Sequence, residues 1–224
     1  RGLEDPRIKE PLFDSYQGRH FEAITRMQTE QKLRRTKSQQ PLANLVMGNM
    51  YLSYGFHQEA ANIFEAMLDN DQPVEVRDKA WFYLAKSQYH SGRTEQAVST
   101  LSRIETELPY ALQAERQVME AIVHLKQERF EKAVDVLKDI DSKTRWWLYG
   151  RYNLAVAMYK SGQQAEALSI LETLAEMRVD DDETRNLKDK ANLVLAFDLL
   201  NNDKPVEAEA VFRRMRLQGP HSNA

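Results

Sequence analysis

The chain has 224 residues and a formal net charge of -3, so its charge predicts neither a nucleic-acid footprint nor a strongly acidic tail. It contains no cysteine, which excludes disulfides, thiolate zinc sites and cysteine nucleophiles, and only 8 glycines and 7 prolines, which argues against long disordered linkers. No apolar run approaches the roughly 18 residues that span a bilayer, so we expect no direct membrane span.

Good helix formers dominate the composition, and we expect an all-α fold of about six antiparallel helix pairs. Asp182 is expected to cap the eleventh helix, because carboxylates are favoured at the positive end of a helix. In chain order, the predicted helices span 7–17 and 20–35, 41–54 and 57–69, 75–91 and 94–106, 110–127 and 130–139, 146–161 and 164–177, and 184–201 and 205–217.

A repeated spacing of residue sizes runs through these helix pairs. An alanine stands early in each second helix, and successive alanines are separated by 37, 37, 36, 34 and 41 residues. A large apolar residue follows each alanine by four positions, and a small residue precedes each of the last five by twelve. The alanines are Ala23, Ala60, Ala97, Ala133, Ala167 and Ala208; the large residues are Met27, Phe64, Leu101, Leu137, Leu171 and Phe212; the small residues are Gly48, Ala85, Ala121, Ala155 and Ala196.

Close packing accounts for the recurrence of these sizes. Small residues on both helices of a pair let the two axes approach, and the large residue one turn later fills the groove beside them. Gly18, Gly55, Gly92 and Gly162 fall in or next to the breaks between paired helices, where the chain reverses. One pair cannot bury its apolar faces alone, so a repeat of this length predicts a stack of pairs.

These residues also resemble the tetratricopeptide repeat, whose pattern is W-x2-L-G, then A-x3-F, then P, here with alanine for the glycine and leucine for the phenylalanine in one copy. The resemblance implies a right-handed superhelical solenoid. The copy around Ala121 is the weakest, because Gln117 and Glu120 stand where the pattern has large apolar residues. The matching residues are Trp81, Leu84, Ala85, Ala97, Leu101 and Pro109, then Met47, Gly48, Tyr51, Ala60 and Phe64, and more loosely Leu195, Ala196, Ala208, Phe212 and Pro220.

The resemblance also suggests a domain organisation and a setting. We expect a degenerate helix pair at 1–39, a solenoid of about five repeats at 40–220, and the start of a truncated further helix at 221–224. Since the sequence begins Arg1-Gly2 without a methionine, we expect a piece of a longer chain. The sequence as a whole resembles those of envelope-associated tetratricopeptide proteins of Gram-negative bacteria, and this resemblance implies a periplasmic or envelope location.

The first helix of each pair lines the inner surface of such a stack, and its outward positions are unusually apolar and aromatic. One interpretation is that neighbouring pairs bury these positions. The other is a groove that accepts an apolar or amphipathic segment of a partner protein. The candidate groove residues are Leu45, Asn49, Leu52, Phe82, Lys86, Tyr89, Ile122, Tyr152, Val156, Tyr159 and Phe197.

Some tetratricopeptide domains clamp a C-terminal carboxylate with paired lysine and asparagine residues. Asn49 and Lys86 occupy candidate places for such a clamp, but Phe82 and Tyr152 stand where polar residues would be needed. The resemblance therefore gives this clamp little support.

Catalysis has no support in the sequence, because it lacks a glycine-rich phosphate loop, a GxSxG motif and a metal-ligand spacing of histidines. We expect no cofactor and no metal. The first hypothesis is a non-enzymatic scaffold that binds a protein or peptide segment and helps to assemble a larger complex, and self-association through the open ends of the stack is a further hypothesis. The alternatives are a regulatory or adaptor domain of a longer enzyme and, less favoured by the charge, an RNA-binding helical repeat.

Overall fold

The computed structural model describes residues 4–33, 35–36, 39–178 and 181–217, with the side chains of residues 216 and 217 excepted. Over these ranges the chain forms twelve α-helices and no β-strand, which confirms the predicted all-α stack of helix pairs. None of the helices within these ranges is long and apolar enough to cross a bilayer. The predicted helix start at 221–224 lies outside the described residues.

The helices group into two compact units, residues 1–112 and 113–224. In unit 1, each helix packs against the next one along the chain from α1 to α6, so that three antiparallel hairpins stack in chain order. Its helices are α1 (Pro6–Tyr16), α2 (His20–Lys32), α3 (Gln40–Ser53), α4 (His57–Leu68), α5 (Val74–His90) and α6 (Thr94–Leu101), followed by the first residues of α7.

Unit 2 repeats the same architecture with most of α7 and the five remaining helices. Its main core joins residues of α7 to α11, and the Gln117 side chain donates a hydrogen bond of 3.0 Å from α7 to the Val136 carbonyl in α8. The helices are α7 (Tyr110–Lys126), α8 (Phe130–Leu137), α9 (Trp147–Lys160), α10 (Gln164–Glu176), α11 (Asp182–Asn201) and α12 (Pro205–Leu217).

The predicted seam of small residues lies at the centre of every hairpin. All six alanines of the second helices are at most 1% exposed, and their partners on the first helices are equally buried. The large residue one turn later is also buried in five of the six pairs. Phe212 is the exception at 36% exposed, and its ring contacts that of Phe197 edge-on at 6.4 Å.

The reversals between paired helices use the left-handed backbone conformation. Gly55 and Gly92 have φ angles of 84° and 78° at the first-to-second helix breaks of their hairpins. Glu128 and Asp203 take the same conformation at the α7–α8 and α11–α12 breaks, with φ of 56° and 57°. The geometry of the break is thus kept where glycine is missing, at some cost in backbone strain.

Two predicted helix boundaries are wrong. The sixth helix was expected to reach residue 106 but ends at Leu101, because the following segment binds to a carboxylate on α5. The cap of α11 is Asp181 rather than Asp182: the Asp181 carboxylate accepts the Thr184 backbone N–H at 2.7 Å, and this contact lowers its pKa.

Asp78 is the carboxylate that holds the segment after α6. It is 1% exposed and accepts hydrogen bonds from the backbone N–H groups of Glu105 and Thr106, at 3.3 and 2.7 Å, and from the Thr106 hydroxyl at 2.6 Å. A buried charge is tolerated here because three donors surround it. The path of the connection between α6 and α7 is therefore set by a residue in α5.

Replacing Asp78 with alanine removes the acceptor of all three bonds and leaves two backbone donors unsatisfied. We expect D78A to lower the free energy of unfolding by about 2–3 kcal/mol, measured by urea denaturation. The amide protons of Glu105 and Thr106 should lose their protection from hydrogen exchange. The exposed Asp71, altered to alanine, is the control; equal losses in both variants would contradict the role of Asp78.

Gly48 shows why one repeat carries glycine where the others carry alanine. A Cβ added to Gly48 would lie 2.6 Å from Cε1 of Phe64, inside the ring's contact distance. Three of the repeats with alanine at this place, at Ala85, Ala121 and Ala155, carry leucine sixteen residues later, whereas Ala196 is followed at that distance by Phe212, which is 36% exposed. In the fully buried pairs the two positions therefore share a fixed volume.

Gly48→Ala should destabilise the chain by about 1–3 kcal/mol through this overlap. Combining it with Phe64→Leu recreates the alanine–leucine pair of Ala85 and Leu101, so the double variant should be more stable than the sum of the two single changes predicts. Thermal unfolding of the two single variants and the double variant measures the coupling. Strictly additive losses would show that the two sites do not compete for space.

Candidate functional site

The first helices of unit 1 enclose an apolar groove of about 280 Å³, called here the first-helix groove. Its α3 residues recur at helical spacing, so one face of α3 forms a wall, and α5 contributes Lys79 and Tyr83 one turn apart. The full lining is Leu12 of α1, Leu42, Leu45, Val46 and Asn49 of α3, Lys79 and Tyr83 of α5, and Pro109 and Leu112.

Three polar side chains stand in this apolar lining. Among the residues that the structure describes, the Asn49 amide and the Lys79 ammonium make no hydrogen bond or ion pair with other side chains. The Tyr83 ring stacks on Phe64 at a centroid distance of 5.4 Å, which fixes its orientation. The groove thus combines leucine surface for an apolar group with an amide and a cation for polar groups beside it.

Two of the predicted groove residues, Leu45 and Asn49, lie in the first-helix groove. Leu52 and Phe82 do not offer accessible surface: they are 7% and 0% exposed, so burial between helices accounts for both. For these two residues the structure therefore favours the other interpretation, in which neighbouring helices bury the outward positions. Lys86 and Tyr89 are half-buried on α5, and burial raises the pKa of Tyr89.

In unit 2, the predicted residues are spread over three helices. Ile122 and Tyr152 are half-buried and pack against the core, and burial raises the pKa of Tyr152. The Tyr159 hydroxyl donates a 2.8 Å hydrogen bond to the buried Asp198 carboxylate, and this bond raises the pKa of Tyr159. Tyr159 is therefore held by its own unit. Val156 is half-buried.

Phe197 is the most accessible of the predicted residues, at 57% exposed. It lies on the face of α11 that also presents Leu193 and Leu200, and it touches Phe212 of α12.

The sequence missed Lys79 and Tyr83, which are the α5 residues that line the groove. The expected outward positions on α5 began at Phe82, one residue before Tyr83, so the predicted face was rotated by about 100°. Spacing along one helix cannot set this angle, because the packing of α3 against α5 decides which side remains open. The one signal in the sequence is the spacing of Lys79 and Tyr83, which stand one turn apart and so share a face of α5.

Metal and catalytic chemistry find no support in the described ranges. They hold no group of three or more histidine, aspartate or glutamate side chains arranged to bind a metal ion. His57 and His90 stack with ring centroids 5.3 Å apart near the hairpin breaks. The lowered pKa of His124 is caused mainly by burial.

Comparison with protein families identifies the repeat. Models described as tetratricopeptide repeat match residues 45–111 and residues 149–177. These two segments are therefore similar to tetratricopeptide repeats, and together they span less than half of the chain. The first match covers α4 to α6 with most of α3, and the second covers α9 and α10. The copy around Ala121 lies between the two matched segments.

Solved structures support the same fold. Two crystal structures of nearly identical TPR-like repeats, from a protein described as a kinesin light chain of Podosopora anserina, are similar to this chain, one of them carrying a Q17M substitution. The TM-scores are 0.58 and 0.56, each at 20% identity, covering 81% of this chain and 93% of the other. This identity shows a shared fold alone. No curated protein is significantly similar in sequence.

Proposed function

We propose that the protein is a non-enzymatic interaction scaffold that binds an apolar segment of a partner protein in the first-helix groove. The observation that carries the proposal is the groove itself, in which leucine side chains surround Asn49 and Lys79, two residues that pair with no other described side chain. Tetratricopeptide repeats generally bind protein partners, which supports this class of function.

The size of the groove suits a single large side chain. Its volume of about 280 Å³ is close to the lower end of the range of roughly 300–1,000 Å³ that is usual for small-molecule and cofactor sites. A leucine or phenylalanine side chain of a partner would fill the space between Leu42, Leu45 and Leu112. The Asn49 amide would then bind the partner's backbone, because an amide both donates and accepts hydrogen bonds.

The wider role is assembly of a larger complex, in which the partner segment is held while the rest of the partner remains free. The proposed cellular location is the envelope of Gram-negative bacteria, and the support for it is the resemblance of the sequence to envelope-associated tetratricopeptide proteins. The cellular location of the intact protein tests this setting independently of the groove.

Leu45→Glu tests the groove directly. We expect the variant to lose the partners captured by the wild-type chain, because a carboxylate in the leucine wall opposes burial of an apolar side chain. Affinity capture followed by mass spectrometry measures the loss. A photo-crosslinking residue at position 79 should label the same partners and identify the segment that binds.

The control is Leu193→Glu, which places the same charge on an exposed leucine of unit 2. Both variants must retain helical circular dichroism and a melting temperature close to that of the wild type. Phe82 is unsuited to this test because it is fully buried. Unchanged capture by a folded L45E variant would contradict the proposed groove.

A further inference from the structure

A second groove, of about 480 Å³, lies on the other side of α5 and is called here the second-helix groove. Its floor is Trp81, Leu84 and Gln88 of α5, spaced so that they share one helix face, whereas Lys79 and Tyr83 face the first-helix groove. Its walls are the second helices α4 and α6. One helix therefore separates two grooves of different composition.

Arg93 is the unusual residue of this groove. It stands at the start of α6, its Nη2 atom is buried, and that atom donates no hydrogen bond. A buried, unsatisfied guanidinium nitrogen costs free energy unless an acceptor reaches it. No described residue forms an ion pair with Arg93.

The first hairpin shows what Arg93 lacks. Arg19 stands at the start of α2, as Arg93 does at the start of α6, and in both cases the backbone N–H bonds to the carbonyl five residues earlier. Arg19 also pairs through Nη2 with the carboxylate of that earlier residue, Asp14, at 2.5 Å. In the α5–α6 hairpin the earlier residue is Gln88, whose side-chain oxygen accepts the Thr100 hydroxyl at 2.7 Å instead. The carboxylate that the first hairpin supplies internally is missing here.

The other end of the groove has the opposite charge. Glu65 lies in the last turn of α4, and Asp69 is the residue that caps its C-terminus. Both are exposed and form no ion pair with described residues. Arg103 lies near this end, but its guanidinium stacks over the Trp81 ring at 5.1 Å. In the repeat register, Arg93 corresponds to residue 56 of the preceding hairpin, which places Arg93 and Glu65 about 13 Å apart along the helix axes.

We propose that the second-helix groove binds an extended segment of a partner protein whose acidic side chain pairs with Arg93. A basic side chain about four residues away along the segment pairs with Glu65 and Asp69, because an extended chain advances about 3.3 Å per residue. An apolar side chain between them packs on Leu68 and the edge of Trp81, which line the groove and are half-buried. The charges of the groove thus select both the composition and the spacing of the segment.

The open form of the groove favours a polypeptide over a free small molecule. Glu65, Asp69, Gln96, Ser99 and Arg103 line it and are all exposed, so the groove cannot enclose a ligand on most sides. A polypeptide can continue beyond both ends. This inference does not depend on the first-helix groove, since the two sites share no lining residue.

The test uses the full chain and a fluorescent five-residue peptide, glutamate-alanine-leucine-alanine-lysine, with both ends blocked. Fluorescence anisotropy should show saturable binding in the micromolar to low millimolar range. Arg93→Gln should weaken it about tenfold or more, because a charge-assisted hydrogen bond to a buried donor is lost. Replacing the peptide's glutamate by glutamine should weaken binding to the wild-type chain to the same extent. The same replacement should cause little further loss of affinity in the R93Q variant.

Arg129→Gln is the matched control, because Arg129 holds the same place at the start of α8 but is exposed. Lys79→Gln controls for the first-helix groove. Neither variant should change the affinity for the peptide. The double variant Glu65→Gln with Asp69→Asn should lower the affinity, because the peptide's lysine loses its two carboxylate partners. The proposal is overturned if the peptide does not bind at millimolar concentration, if folded R93Q binds it as the wild type does, or if K79Q weakens binding as strongly as R93Q.

Discussion

The distance between the two helices of each hairpin is the constraint on which the rest of the structure depends. Small residues on both helices let the axes approach, and one large side chain fills the remaining space. Where the large residue is Phe64, only glycine fits opposite it at position 48. The hairpins can stack in register because the same contact between small and large residues holds the two helices of each hairpin together. The grooves are therefore a consequence of helix packing.

The sequence predicted this contact and the helix order well, because both depend on spacing along the chain. Ala60, Ala97 and Phe64 were placed in the seam by counting residues, and all are buried. The sequence could not place Tyr83 in a groove and Phe82 in the core, because the rotation of α5 depends on its neighbours. It also missed Asp78, whose partners are 27 and 28 residues away in the chain.

The two grooves of unit 1 illustrate how one helix can serve two different surfaces. The side of α5 that carries Lys79 meets leucine-rich first helices, whereas the side that carries Trp81 meets charged second helices. Recognition of protein segments by shape and charge is the function that we propose for these surfaces, and it agrees with the match of two segments to tetratricopeptide repeat models.

Asp78 specifies the path of the α6–α7 connection mainly through backbone groups, since two of its three bonds go to peptide N–H donors. The side chain of Glu105 makes none of these three bonds and pairs instead with Arg77, the residue before Asp78, at 2.8 Å. Anyone grafting this connection into another helical array would have to transplant the aspartate from the preceding helix along with it.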